Sequence, residues 1–169
     1  MAVVSSNLVT QAPKVFKKQI AVSSPISGKL KPLSAFEHIP TQTGFLGPGA
    51  CIELSGSKVI APFSAKVESL PLTGYEVVLR AANGLRMWIK IGSSKSSLMG
   101  QRCVLQTRVG KVVRSGDTIM LLDPYWMRQH QHNTDCAVTF INGSKLKAIM
   151  PSSAKSLVAG EDRLFTLFL

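Results

Sequence analysis

The chain has 169 residues, of which 45% are hydrophobic and 17% charged, a balance typical of a globular protein rather than a disordered one. Twenty Lys and Arg against nine Asp and Glu give a formal charge of +11, which favours anionic partners. No apolar run reaches the roughly 20 residues of a membrane-spanning helix. The three cysteines lack CxxC spacing, which disfavours a disulfide framework and a zinc ribbon and favours a reducing cytoplasm.

The first 19 residues show no clean strand alternation. We interpret 1–19 as a tail or amphipathic lead-in and 20–169 as one domain. Val15 and Phe16, with lysines at positions 14, 17 and 18, suit peripheral contact with an anionic membrane surface. A secretory signal begins with positive charge, whereas these lysines flank or follow the apolar residues, so export is not predicted.

From Ile20 onward, short apolar runs separated by turn residues indicate a β-sandwich or barrel. Two stretches, SPISGKLKPL (24–33) and APFSAKVESL (61–70), share a pattern at an offset of 37 positions. Such an internal repeat predicts two similar strand–turn units that pack against each other.

A β-hairpin is predicted around Asn83-Gly84, between YEVVLR (75–80) and LRMWIKI (85–91). Two registers fit, with a loop over 81–84 or over Asn83-Gly84 alone. In both registers Tyr75 and Lys90 lie on one face of the hairpin, because side chains alternate along each strand.

The later segments complete an all-β expectation. The residues around Gly116 form a turn, Pro124 suits the first position of one short helix over 124–132, and DRLFTLFL (162–169) forms a final strand. The sequence therefore predicts a compact antiparallel β-sandwich with at most one or two short helices.

Other candidate sites are weaker. His130 and His132, followed by Asp135 and Cys136, resemble metal ligands, but residues at i and i+2 of a helix diverge, and no metal or other cofactor is predicted. A zinc peptidase would need HxxxD, whereas the residue four positions after His38 is glutamine. A lipoyl-type carrier would need its lysine at a hairpin tip, and the dispersed basic residues do not form a nucleic-acid-binding motif.

Five stretches together resemble a known family: SSPISGKLKPL, FLGPGACIEL, KVIAPFSAKV, NGLRMWIKIG and GKVVRSGDTIMLLD. In this order they are similar to the glucose-type IIA phosphocarrier domain of the bacterial phosphoenolpyruvate-dependent sugar phosphotransferase system, over about residues 20–143. The resemblance implies a cytoplasmic antiparallel β-sandwich (a barrel-sandwich hybrid) with a duplicated core. It also implies an apolar partner-binding surface, with Phe45, Leu46 and Trp88 at matching positions.

The sequence differs from the family at the two positions that carry out phosphoryl transfer. In the family, one histidine accepts phosphate from a phosphohistidine donor and a second histidine orients it; the matching positions here hold Tyr75 and Lys90. Their reference pKa values of about 10 and 10.4 leave both groups protonated at pH 7, so no catalytic residue is expected at the family site. Two family aspartates on the rim are matched by His38 and Ser94, and their loss would repel a basic donor.

Three functions remain open. The leading interpretation is a regulatory protein-binding module that uses Phe45, Leu46, Trp88, Tyr75 and Lys90 as its binding face, with other phosphotransferase-system components or their regulatory targets as partners. The second is a phosphocarrier with a non-standard acceptor, either Tyr75 or a histidine. The third is a basic adaptor for a membrane surface or, less favoured, nucleic acid. Tyr75 and Lys90 are either drifted positions or a new anion site.

Overall fold

The computed structural model describes residues 7–93 and 98–169, which form antiparallel strands and two short α-helices. The strands are β1 (Gln19–Ser23), β2 (Gly28–Pro32), β3 (Gly49–Leu54), β4 (Lys58–Ile60), β5 (Ala65–Ser69), β6 (Glu76–Ala81), β7 (Arg86–Ile91), β8 (Val104–Leu105), β9 (Val112–Val113), β10 (Thr118–Leu121), β11 (Asp135–Phe140), β12 (Ala148–Pro151), β13 (Ser156–Leu157) and β14 (Arg163–Phe168). The helices are α1 (Ile39–Gln42) and α2 (Pro124–Gln129), and 3-10 turns cover Leu33–Ala35 and Gly143–Lys145. The predicted all-β fold with one or two short helices is confirmed.

The strands form one sheet of eight and two sheets of three. The eight-stranded long sheet has the order β13-β2-β3-β11-β7-β6-β5-β9, and the small sheets have the orders β1-β14-β12 and β4-β10-β8. The main hydrophobic core draws its buried side chains from all three sheets. Such packing of one face of each sheet against the others is how a sandwich buries its apolar residues.

The predicted repeat is visible in the topology. The two similar stretches contain β2 and β5, whose bounds are also 37 positions apart. Each of these strands is the second from its own end of the long sheet, so the sheet divides into two similar halves between β11 and β7.

The long sheet is apolar on parts of both faces. Val77, Leu79 and Ile89 point into the main core and are fully buried. The alternate residues of β6 and β7 point outward, where a second group of side chains is buried. This outer cluster consists of Phe36, Cys51, Val78, Trp88 and Ala137. The segment that carries the Leu33–Ala35 turn and α1 covers it.

The segment before β1 lies along the small sheet of β1, β14 and β12. The side-chain amide of Asn7 donates to the carbonyl oxygens of Gly143 and Leu146 at 2.7 and 2.9 Å. The ring of Phe16 packs edge-on against Phe168 with centroids 5.0 Å apart, while Val15 stays exposed. Within residues 7–93 and 98–169, no helix is long and apolar enough to cross a bilayer.

The helices differ in how well the sequence predicted them. Helix α2 begins at Pro124, where the Asp123 side chain accepts a hydrogen bond from the backbone of Trp126 at 2.9 Å, and it ends three residues earlier than predicted. Helix α1 was not predicted, because four residues are too few to show a helical period.

A close backbone approach fixes the loop between α1 and β3. Gly47 has a φ of +82°, and a Cβ there would lie 1.8 Å from the carbonyl oxygen of Phe140. Gly84 has a similar φ of +89° but nothing within 4 Å of its Cβ position. Both positions have the left-handed backbone that glycine adopts without strain. Only at Gly47 would a side chain also collide with a neighbouring atom.

We therefore expect Gly47→Ala to lower the free energy of unfolding by about 3 kcal/mol or more, and the matched change Gly84→Ala by about 1 kcal/mol. Urea denaturation of the two variants beside the natural protein measures the difference. Equal losses in the two variants would show that the contact with Phe140 does not constrain the loop.

Candidate functional site

The β6–β7 hairpin has neither of the predicted registers. Glu76 lies directly opposite Lys90, and Arg80 lies opposite Arg86. The prediction that Tyr75 and Lys90 share a face is therefore wrong: a three-residue loop shifts the pairing by one position, and such a shift moves a side chain to the other face of the sheet.

Tyr75 belongs to the main core. Its backbone has a φ of +63°, in the left-handed region that few residues other than glycine adopt. Its side chain is buried, its hydroxyl donates a hydrogen bond to the carbonyl oxygen of Gln101, and burial raises its pKa to about 12. The side chain of Tyr75 is therefore part of the main core, and its hydroxyl is bonded to a backbone carbonyl.

On the outer face of the hairpin, one carboxylate contacts two side chains. Oε1 of Glu76 accepts a hydrogen bond from the indole Nε1 of Trp88 at 2.8 Å, and Oε2 lies 3.9 Å from the ammonium of Lys90. Trp88 is buried in the outer cluster, with 4% of its surface exposed, so it supports the surface rather than forming it. The lysine that interrupts the strand thus has a carboxylate partner, and a side chain about one-quarter exposed.

His38 lies over the same region. Its ring centroid is 5.9 Å from those of Trp88 and Phe36, and its Nδ1 is 2.7 Å from the hydroxyl oxygen of the buried Thr41. Desolvation, followed by the nearby positive charge of Lys90, lowers the pKa of the ring below its usual value. The imidazole is therefore neutral at pH 7.

Large apolar side chains are exposed beside this histidine. Ile39 is 75% exposed and Phe45 is 82% exposed, while Leu46 is partly buried against the outer cluster. We call Ile39, Phe45 and Leu46 the docking face. The sequence pointed to Phe45 and Leu46 but missed Ile39, whose only signal is an apolar residue in the first turn of a helix too short to recognise.

A depression of about 300 Å³ lies on the other side of Lys90. Its lining includes Gly74, Glu76, Lys90, Ser93 and part of Tyr75. The Ser93 hydroxyl is buried and has no hydrogen-bond partner in the described part of the chain. No histidine lines the depression within that part, so the described residues there supply an ammonium, hydroxyls and one carboxylate.

The remaining predicted positions lie elsewhere. Ser94 falls outside the described residues. The rings of His130 and His132 pack against Trp126, with centroids 4.9 and 5.1 Å from its ring. Among residues 7–93 and 98–169, no three His, Cys, Asp or Glu side chains are grouped as a metal site would require.

Comparison with known proteins gives one consistent family. The pattern of the family described as phosphoenolpyruvate-dependent sugar phosphotransferase system, EIIA 1, matches residues 20–146. The chain is 29% identical over 143 residues, or 84% of its length, to the PTS system glucose-specific EIIBCA component of Corynebacterium glutamicum. It spans only 21% of that relative and 21% of the mannose-specific EIIBCA component of the same species.

Two relatives have nearly the length of this chain. The PTS system glucose-specific EIIA component of Oceanobacillus iheyensis is 22% identical over 147 residues, which cover 87% of this chain and 89% of that protein. The solved structure of glucose permease IIA from Mycoplasma capricolum superposes with a TM-score of 0.76 at 20% identity, covering 89% of this chain and 96% of its own. This structural likeness confirms the fold.

The burial of Tyr75 has a spectroscopic consequence. In an absorbance titration, we expect the tyrosinate signal that disappears in Tyr75→Phe to lie near pH 12, because burial raises the pKa of that phenol. The folded pKa exceeds the unfolded value of about 10, so the unfolding free energy of the natural protein should fall more steeply between about pH 10 and 12 than that of the variant. If the tyrosinate signal that Tyr75→Phe removes is centred near pH 10, the phenol is exposed and this description is wrong.

Proposed function

Because this chain belongs to the EIIA 1 family of the phosphoenolpyruvate-dependent sugar phosphotransferase system, we propose that it is a regulatory protein-binding module of that system and takes no phosphate at Tyr75. The observation that carries the proposal is a pair of large, exposed apolar side chains, Ile39 and Phe45. The adjacent Leu46 packs against the buried outer cluster. We assign the module to residues 20–169, with 1–19 as a lead-in, and to the cytoplasm.

The loss of transfer chemistry is supported by the surroundings of Tyr75. A phosphoryl acceptor must present its nucleophilic atom to an incoming donor. The Tyr75 hydroxyl is instead engaged by a backbone carbonyl in a buried position, and its pKa of about 12 keeps it protonated at neutral pH. The Lys90 side chain lies beside the Glu76 carboxylate, with Nζ 3.9 Å from Oε2, and an ammonium nitrogen has no free lone pair with which to attack phosphorus.

Local hydrogen bonds support a pre-organised docking face. The backbone N–H of Phe45 donates to the carbonyl of Pro40 at 3.0 Å, and the Thr43 hydroxyl donates to the carbonyl of Ile39 at 2.9 Å. Beneath them, Leu46 packs on the outer cluster. A face whose backbone is already ordered loses less conformational entropy on binding, which favours its use as a protein interface.

The net charge of the chain restricts the class of protein partner. A protein with a formal charge of +11 repels basic partners over long range and attracts acidic ones. We therefore propose a partner with an apolar centre for Phe45 and an acidic rim for Lys90, among the other proteins of the phosphotransferase system or their regulatory targets. The IIB domain of the glucose system is the first to test.

Replacing Phe45 should weaken such a complex about ten-fold or more, because burying a Phe side chain contributes about 1.5–3 kcal/mol. Isothermal titration calorimetry of Phe45→Ala against that domain measures the loss. Tyr125→Ala is the matched control, because Tyr125 is an exposed aromatic residue on α2, outside the docking face. Absence of binding by the natural protein, or equal losses in both variants, would refute the use of this face.

A second candidate function is phosphoryl transfer through His38. The observation that favours it is the state of this ring: Nδ1 is held by Thr41, Nε2 has no hydrogen-bond partner among the described residues, and the lowered pKa leaves the ring neutral and nucleophilic. A phosphoryl group would pass from a donor imidazole nitrogen to Nε2, with one N–P bond breaking as the other forms. The ammonium of Lys90 is close enough to influence the charge of His38 and would stabilise the bound phosphate.

If His38 is an acceptor, incubation with labelled phosphoenolpyruvate and the general phosphotransferase proteins should give acid-labile label that disappears in His38→Gln. His130→Gln and His132→Gln are the matched controls and should label normally. Label that persists in His38→Gln would exclude His38 as the acceptor. A natural protein that takes no label would exclude this second function and leave the binding module.

A further inference from the structure

Positive charge collects at one end of the long sheet, away from the docking face. Five cations lie on or beside strands β9, β5 and β6: Lys66, Arg80, Arg108, Lys111 and Arg114. All five side chains belong to exposed residues, and none forms an ion pair within residues 7–93 and 98–169. We call these five residues the basic edge.

Two cations of the basic edge face each other directly. Lys66 of β5 lies opposite Arg80 of β6, and Arg80 lies opposite Arg86 of β7. Directly opposed like charges destabilise a sheet. Arg86 has a carboxylate, since its Nε lies 2.7 Å from Oε2 of Glu68, but Lys66 and Arg80 have none among the described residues. An anion from outside the chain would offset this repulsion.

Apolar side chains are interleaved with these cations. Val112 pairs with Lys66 across β9 and β5 and is 75% exposed, and Val109, in the turn before β9, is 56% exposed. Arg108, Lys111 and Val112 line a shallow depression of about 690 Å³, which also holds the Asp117 carboxylate. One Asp117 oxygen is occupied by the backbone N–H of Arg114 at 2.8 Å, so the depression remains predominantly basic.

From this arrangement we propose that the basic edge, with Val109 and Val112, is a binding surface for an anionic phospholipid bilayer. The cations contact lipid phosphates while the two valines enter the interfacial region. Peripheral proteins bind membranes through this combination of electrostatic attraction and apolar insertion. Nucleic acid fits less well, because residues 100–118 contain no aromatic side chain on which a base would stack.

This surface leaves the docking face free. Strand β9 is three strands away from β7, which carries Trp88 and Lys90, a separation of roughly 14 Å at the usual strand spacing. A chain bound to a bilayer through the basic edge would therefore still present Phe45 to a protein partner. The proposal does not depend on the proposed function, since each surface has its own residues and its own test.

Co-sedimentation with vesicles tests the proposal. The natural protein should bind vesicles that contain phosphatidylglycerol, should not bind vesicles of phosphatidylcholine alone, and should release as salt is raised. The double variant Arg108→Gln, Lys111→Gln should lower partitioning about 25-fold, because each basic residue near the surface contributes about five-fold. Val109→Ser with Val112→Ser should also weaken binding, although it changes no charge.

The matched control removes two exposed lysines at the opposite end of the long sheet. Lys29 lies in β2 and Lys155 immediately precedes β13, so Lys29→Gln with Lys155→Gln lowers the net charge by the same amount and should leave most of the binding intact. Failure of the natural protein to bind phosphatidylglycerol vesicles, or equal losses in the control, would overturn the proposal. Silent valine variants, together with displacement from vesicles by a short DNA duplex, would identify a soluble polyanion instead.

Discussion

The antiparallel pairing of Glu76 with Lys90 decides what this protein presents to its surroundings. Because these two residues are opposed, the Glu76 carboxylate reaches both the Trp88 indole and the Lys90 ammonium on the outer face of the sheet. The same register sends Tyr75 into the main core. One interaction between neighbouring strands thus removes the phenol from the surface and supports the tryptophan on which the covering segment lies.

The outer cluster connects this pairing to the docking face. Trp88 and Phe36 bury a patch of the long sheet that would otherwise face water, and Leu46 packs on its border. Gly47 lets the following backbone approach β11 closely, since any side chain there would collide with the Phe140 carbonyl. The exposure of Phe45 therefore results from constraints on both sides of it, and a residue exposed in this way is available to a partner at low entropic cost.

Much of the fold was predictable from the sequence, and the failures have local causes. Turn residues and the apolar alternation predicted an antiparallel sandwich, because these signals depend on neighbouring residues alone. The repeat at 24–33 and 61–70 is a similarity that the sequence shows directly. The register of the hairpin was missed because its loop is one residue longer than one predicted loop and one residue shorter than the other. The sequence around Asn83-Gly84 accommodates more than one loop length. The burial of Trp88 and the position of Ile39 depend on the segment that contains the Leu33–Ala35 turn and α1. This segment is too short to show a periodic sequence pattern.

We propose that the family site has lost its chemistry and that the surface next to it serves as a binding face. The most direct test is to incubate the protein with phosphoenolpyruvate and the general phosphotransferase proteins, beside a histidine-containing relative as positive control. Phosphate is then mapped by mass spectrometry under alkaline conditions, which preserve N–P bonds. We expect the relative to be phosphorylated and Tyr75 and Lys90 to carry no phosphate. Phosphate on Tyr75 would contradict it, because a buried hydroxyl bonded to the Gln101 carbonyl should not reach any donor.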